Sequence, residues 1–188
     1  MLEPLIVRDA TDADIAQIAA IYGREVETGV ATFEEVPPSR QDMLGRMTKI
    51  QQLGLPYLVA ERAGKVLGYA YAGQFHARVA YRYTLEDTVY IHHEARRQGV
   101  ARALLVELLA RSEAIGCRQM VALISHVPHS ASEALHAKLG FREVGILKAV
   151  GYKFGRWLDV AYMQRPVGGA DSQMPDRPVL GPPPIGKS

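Results

Sequence analysis

Cysteine, tryptophan and net charge are all scarce in this chain of 188 residues, which has one Cys, one Trp and a formal charge of +2 at pH 7. A lone thiol, Cys117, can neither close an internal disulfide nor build a metal site by itself, so redox chemistry is not expected and a reducing compartment is. The charge is too small for a general nucleic-acid binder, and any anion recognition must come from local clusters. No apolar run approaches the roughly 18 to 20 residues that span a bilayer. The N-terminus also lacks the basic-then-apolar layout of a secretory leader, so no membrane partner is expected and a cytoplasmic location is. Adjacent histidines in Ile91-His92-His93-Glu94 do not share the helical face that an H-E-x-x-H spacing creates, and no metal is expected.

What remains is a globular composition, 48% hydrophobic and 22% charged, of a length that suits one domain. Leu5 to Arg8 reads as a strand. Thr11 caps a helix carrying Ile15, Ile18, Ala19 and Tyr22 at helical spacing. After a break from Gly29 to Pro38, Ser39 caps a second helix to about Leu53. Tyr57 to Ala63 and Val66 to Phe75 read as a hairpin turning at Ala63-Gly64-Lys65. A strand from Tyr83 to His92 precedes a helix from Gly99 to Ile115, with Val100, Leu104, Leu105, Leu108 and Leu109 on one face. Met120 to Ser125 follows as a buried strand, then a helix from Ser130 to Leu139, then strands at Phe141 to Val150 and Trp157 to Gln164. The order predicts an α/β fold with a mixed sheet.

From Gly168 onward the sequence is rich in Gly and Pro with little apolar periodicity. We read 1–167 as the domain and 168–188 as a flexible tail. The tail satisfies the phosphate-loop pattern G-x-x-x-x-G-K-[ST] at Gly181 to Ser188. Three prolines remove the amides that would hold phosphate, and the chain ends where a helix should begin, so this match is rejected.

The segment Arg96-Arg97-Gln98-Gly99-Val100-Ala101-Arg102 lies between a strand and a helix start. Free amides and the helix dipole there make an anion site, and three arginines suit a pyrophosphate or ribose phosphate. Coenzyme A carries that charge pattern. Glu86, on the strand just before it, is a carboxylate able to take a proton from an attacking ammonium; burial under Tyr81, Tyr83 and Tyr90 would raise its proton affinity.

With its R-x-x-G-x-A turn between strand and helix, the chain resembles the GNAT superfamily of N-acetyltransferases. The likeness narrows to phosphinothricin and methionine sulfoximine/sulfone acetyltransferases through Thr28-Gly-Val-Ala-Thr-Phe33, Tyr57-Leu-Val-Ala-Glu61, Gly68-Tyr-Ala-Tyr-Ala72 and Arg78-Val-Ala-Tyr-Arg-Tyr-Thr-Leu-Glu86. It continues through Ala131-Ser-Glu-Ala-Leu-His136, Leu139-Gly-Phe141 and Gly151-Tyr-Lys-Phe-Gly-Arg-Trp157-Leu-Asp159. The resemblance covers about residues 5 to 165 and implies a mixed, mostly antiparallel central sheet of about six to seven strands flanked by about four helices.

It also implies that acetyl-CoA is the co-substrate, held by the backbone of Thr88, Val89, Tyr90 and Ile91 and by the turn at Arg96, Arg97, Gln98, Gly99, Val100, Ala101 and Arg102. Glu86 is then the general base, and His136, near the sulfur, assists proton transfer or holds substrate. Relatives carry N-x-A-S where this chain has His129-Ser-Ala-Ser132, so His129 and Ser132 are expected at the pantetheine arm. For the acceptor, Arg78 or Arg82 would pair with a carboxylate, while Phe33, Tyr81, Tyr83 and Trp157 would wall the pocket and Lys153 lies in the family's K-x-G-x-W-x-D segment. A homodimer is implied. The expected activity is direct acetyl transfer to a small amine; a non-catalytic acyl-CoA sensor, or an enzyme for peptide N-termini or polyamines, is the alternative. Cys117 follows Gly116 at a helix end with no activating pattern, which argues against a covalent acetyl-enzyme.

Overall fold

The computed structural model describes residues 3–175 and 178–180. Seven strands and four helices follow in the order β1 (Ile6–Asp9), α1 (Ile15–Thr28), α2 (Arg40–Gln52), β2 (Tyr57–Arg62), β3 (Lys65–Gln74), β4 (Thr84–Ile91), α3 (Val100–Ala114), β5 (Gln119–His126), α4 (Ala131–Lys138), β6 (Arg142–Lys153) and β7 (Arg156–Pro166). The sheet order is β1-β2-β3-β4-β5-β7-β6. Every neighbouring pair is antiparallel except β4–β5. The mixed, mostly antiparallel α/β sheet with four helices is as the sequence leads one to expect.

Burial on both faces explains the unbroken apolar run at β2. Strand alternation sends Tyr57 and Val59 to one side, against Ile18, Tyr22, Met43 and Met47 of α1 and α2. Leu58 and Ala60 go to the other, against Leu104, Leu105 and Leu108 of α3. Each such leucine removed from water contributes about 1.5 to 3 kcal/mol before chain entropy is counted. Helix α2 starts where the sequence says it should: Ser39 Oγ accepts from the Asp42 amide at 3.1 Å, and Asp42 accepts back from the Ser39 amide at 3.0 Å.

One connection was not legible. Residues 151–156, unassigned in the sequence reading, complete a long β6–β7 hairpin, because Phe154 (φ 52°) and Gly155 (φ 72°) form the two left-handed positions of a tight turn between Lys153 and Arg156. Beyond β7, Val179 and Leu180 return to the main core, and Leu180 is buried beside Val167. The phosphate-loop match at 181–188 lies outside the described residues.

The feature that makes a site is a parting of strands. β4 pairs with β5 only over Thr84–Asp87 against Gln119–Ala122. Beyond those pairs, residues 88–91 of β4 keep β3 as their partner strand, with Thr88 opposite Tyr71 and Ile91 opposite Gly68. Backbone groups on the other edge of 88–91 are left without a ladder partner, inside the domain rather than at its rim.

Candidate active site

Two adjoining recesses occupy this parting. One, of about 540 Å³, is bordered by Glu86, Asp87, Thr88, Val89 and Tyr90 of β4, by Leu123, Ile124 and Ser125 of β5, and by Val30, Ala31, Thr32, Ser132 and His136. The other, of about 580 Å³, is bordered by Val89, Tyr90, Ile91, Arg96, Arg97, Gly99, Val100, Ala101, Arg102 and Ser132. Glu25, Ala31, Val89, Tyr90, Arg96, Ala131 and Ser132 border both, so together they form one cleft along the free edge of β4.

The second recess has the chemistry of an anion site. Gly99, at φ 79°, is the N-cap of α3, a left-handed position that glycine adopts without steric cost. The first amides of α3 have no intrahelical acceptor, and Arg96, Arg97 and Arg102 stand around them. This donor set fits the pyrophosphate of acetyl-CoA. Gln98 is the exception: its amide donates to the Glu94 carbonyl at 2.8 Å and its side-chain oxygen accepts from Arg62 at 3.3 Å, so it serves the turn rather than the recess. Arg96 is held by Glu25 at 3.0 Å.

The first recess holds the carboxylates and the histidine. Alternation along β4 puts Glu86, Thr88 and Tyr90 on the α1/α2 side and Asp87 on the side of α3 and α4. Burial, and secondarily the neighbouring Asp87, raises the Glu86 pKa above the usual carboxylate range. The tyrosine beside it is Tyr71, whose hydroxyl bonds Thr88, rather than the expected Tyr81 and Tyr83. Tyr81 packs on Phe75 and His76. Tyr83 has a buried hydroxyl without a hydrogen-bond partner.

His136, 1% exposed, does not meet Glu86. Its Nε2 lies 3.1 Å from Asp87 Oδ1 and its Nδ1 2.8 Å from the Ser132 carbonyl. Burial pulls its pKa down, but the bond and charge of Asp87, with the Ser132 carbonyl, outweigh burial and raise it. Asp87 was missed in the sequence. Its signal was parity, since the residue after Glu86 must face the opposite helices, but the partner waiting there belongs to α4 and is 49 positions away.

Of the residues expected around the acceptor, Phe33, Arg78, Tyr83 and Lys153 are not among those that border either recess. Arg78 is exposed in the 75–83 loop, where its amide bonds His76. Phe33 lies over Gly151, where an added Cβ would fall 2.1 Å from the ring. Tyr83 packs inward. Lys153 is buried and its ammonium donates to the carbonyls of Gly29 and Thr32. His129, exposed at φ 57°, also stands off the cleft, whereas Ser130, Ala131 and Ser132 border it. In each case local sequence showed the residue type but not where the tertiary fold turns it. Cys117 is buried, its thiol pushed up to about 11 by desolvation, and it donates to the Gln119 carbonyl. Among the described residues no cluster suits a metal ion.

Residues 7–162 match the acetyltransferase (GNAT) domain family. A phosphinothricin N-acetyltransferase of Alcaligenes faecalis is 51% identical over 170 residues, which cover 90% of this chain and 86% of the relative. An L-methionine sulfoximine/L-methionine sulfone acetyltransferase of Pseudomonas aeruginosa is 39% identical over 159 residues, 84% of this chain and 92% of the relative. Among solved structures, a GNAT superfamily phosphinothricin acetyltransferase from Sinorhizobium meliloti in complex with AcCoA superposes with a TM-score of 0.88 at 48% identity, covering 91% of this chain and 92% of that one. The parted sheet, the arginine-flanked start of α3 and these likenesses agree, and the chain belongs to the GNAT acetyltransferase family.

Proposed function

We propose that this chain moves the acetyl group of acetyl-CoA to the amino group of a small amino-acid-like acceptor, of the phosphinothricin, methionine sulfoximine or methionine sulfone type, by direct attack in a ternary complex. One observation carries the reading: a single cleft joins an anion end at α3 to a reactive end bordered by Glu86 on one side of β4 and the Asp87–His136 couple on the other.

In this reading Glu86 takes a proton from the acceptor ammonium, which its raised pKa suits. Free backbone groups of residues 88–91 bind the pantetheine arm and polarise the thioester carbonyl. The amine attacks the acetyl carbon, the C–S bond breaks, and His136 supplies the proton that the departing thiolate takes up. Arg96, Arg97 and Arg102 with the α3 amides hold the pyrophosphate. The names of the relatives support the acceptor class.

A homodimer through β6 belongs to the same proposal. β6 is an edge strand, and Val144, Val150 and Tyr152 on it, with Phe154 and Trp157, are more than half exposed. A second copy would cover these rings and the unpaired strand edge. A cytoplasmic setting is consistent with a lone, reduced, buried thiol.

The test is thiol release from acetyl-CoA against phosphinothricin, methionine sulfoximine, methionine sulfone, free amino acids, spermidine and an N-terminal peptide. Selective turnover of the first three, lost in Glu86→Gln, is the expected result. Tight acetyl-CoA binding without turnover of any amine would instead support a sensor.

A further inference from the structure

We propose that Lys153 is a positioning residue for the acceptor: from the β6–β7 hairpin it fixes the 29–32 segment that walls the reactive end of the cleft. The inference rests on the reading that this end receives an amino acceptor.

Residues 29–32 follow α1, and among the described residues no strand or helix backbone donates to their carbonyls. All four carbonyls are nevertheless taken by side chains from elsewhere. Lys153 Nζ donates to Gly29 at 3.0 Å and to Thr32 at 2.9 Å. Ser125 Oγ of β5 donates to Val30, and Tyr90 of β4 donates to Ala31 at 3.2 Å. The segment is therefore tied to three strands of the sheet, and Val30, Ala31 and Thr32 border the recess that Glu86 and His136 share.

Lys153 closes both ends of this strap. It is 2% exposed and makes no direct ion pair among the described residues. A buried ammonium is costly unless its hydrogens are placed, and here two backbone carbonyls and the face of Phe154, 4.9 Å away, meet it. An ammonium committed in this way does not reach the acceptor itself. It sets instead the distance between the strap and the β4 edge, and with it the width available to the acceptor. Phe33, the next residue along, lies on Gly151 of the same hairpin, a second attachment that any side chain at 151 would displace.

Misplacing one wall of a site raises the cost of placing the acceptor while leaving the distant anion grip alone. Lys153→Met keeps an unbranched side chain, one atom shorter, and removes its donors. In the full chain we expect the KM for methionine sulfoximine to rise about tenfold or more, with kcat reduced about threefold at most and the Kd for acetyl-CoA within about twofold. Gly151→Ala, which pushes Phe33 away without touching the ammonium, should give the same split. Amide exchange across 29–34 should rise in both variants relative to the unsubstituted chain, a readout that needs no turnover.

If the unsubstituted chain fails to turn over any amine, the acetyl-transfer reading fails, and the exchange measurement still judges the strap. Unchanged acceptor KM in folded Lys153→Met, or unchanged exchange across 29–34, overturns the proposal. Should Lys153→Met not fold, Gly151→Ala and Ser125→Ala carry the test: an acceptor-specific rise in KM supports it, and parallel loss of kcat and acetyl-CoA binding with melting temperature overturns it.

Discussion

His136 Nε2 sits 3.1 Å from Asp87 Oδ1, while Nδ1 of the same ring is 2.8 Å from the Ser132 carbonyl. A carbonyl and a carboxylate only accept, so these two partners favour the ring that carries hydrogen on both nitrogens, in keeping with its raised pKa. In the proposed reaction the protonated ring is the proton source for the leaving thiolate.

The sign of its pH dependence follows. The folded-state pKa of His136 is raised, so the donor form persists below that value and is lost as pH rises through it. Turnover should therefore fall on the alkaline side above the ordinary histidine range. Asp87→Asn removes the opposing charge and should bring that fall to lower pH. By linkage, His136 contributes stability that is fully present below its unfolded pKa and is lost as pH rises through the raised folded pKa. A pH series of melting temperatures should show this loss, diminished in Asp87→Asn; an unmoved alkaline limb would sink the assignment.

Glu86 governs the opposite limb. Its carboxyl must be ionised to act, and burial raises its pKa, so turnover should climb with pH through a value above that of an exposed glutamate. In Glu86→Gln we expect kcat to drop by about 10²- to 10⁴-fold with acetyl-CoA binding intact. Steady-state kinetics beside calorimetric titration of acetyl-CoA would separate the two effects.

At the other end of the cleft, Arg97→Ala should weaken acetyl-CoA binding about tenfold and make it less sensitive to salt, because a charge-assisted contact to phosphate is lost. Gly99→Ala forces a side chain into a left-handed position at φ 79° and should cost about 1 kcal/mol of stability as well as affinity. Affinity that is indifferent to both changes would place the cofactor elsewhere.

The exposed rings of the β6–β7 hairpin predict association. Trp157 is 67% exposed, and Trp157→Glu should shift a dimer toward monomer in sedimentation equilibrium. A chain that is already monomeric at micromolar concentration would remove the dimer from the proposal.

Much of the fold could be read along the chain because it is written in local chemistry. Helical spacing at Leu104, Leu105 and Leu108, the Ser39–Asp42 cap and the Ala63–Gly64 turn each follow from residues within a few positions of one another. The arginine-flanked start of α3 was legible for the same reason, since Arg96 to Arg102 is one continuous segment and a helix start presents free amides wherever it occurs. Glu86 was legible as a carboxylate on a strand next to that segment.

Contacts that cross the chain were decided by tertiary structure alone. Asp87 and His136 are brought together only because β4 and α4 pack across the sheet. Lys153 donates to two carbonyls of the 29–32 strap, more than a hundred residues away. Arg78 and Tyr83 carry suitable functional groups but border neither recess, because no local rule fixes the course of the 75–83 loop. Sequence determines which groups exist and which element carries them, through side-chain period and capping. The parting of β4 from β5 after Asp87, which makes the cleft, depends on how whole strands twist and pair, and no short stretch of residues encodes it.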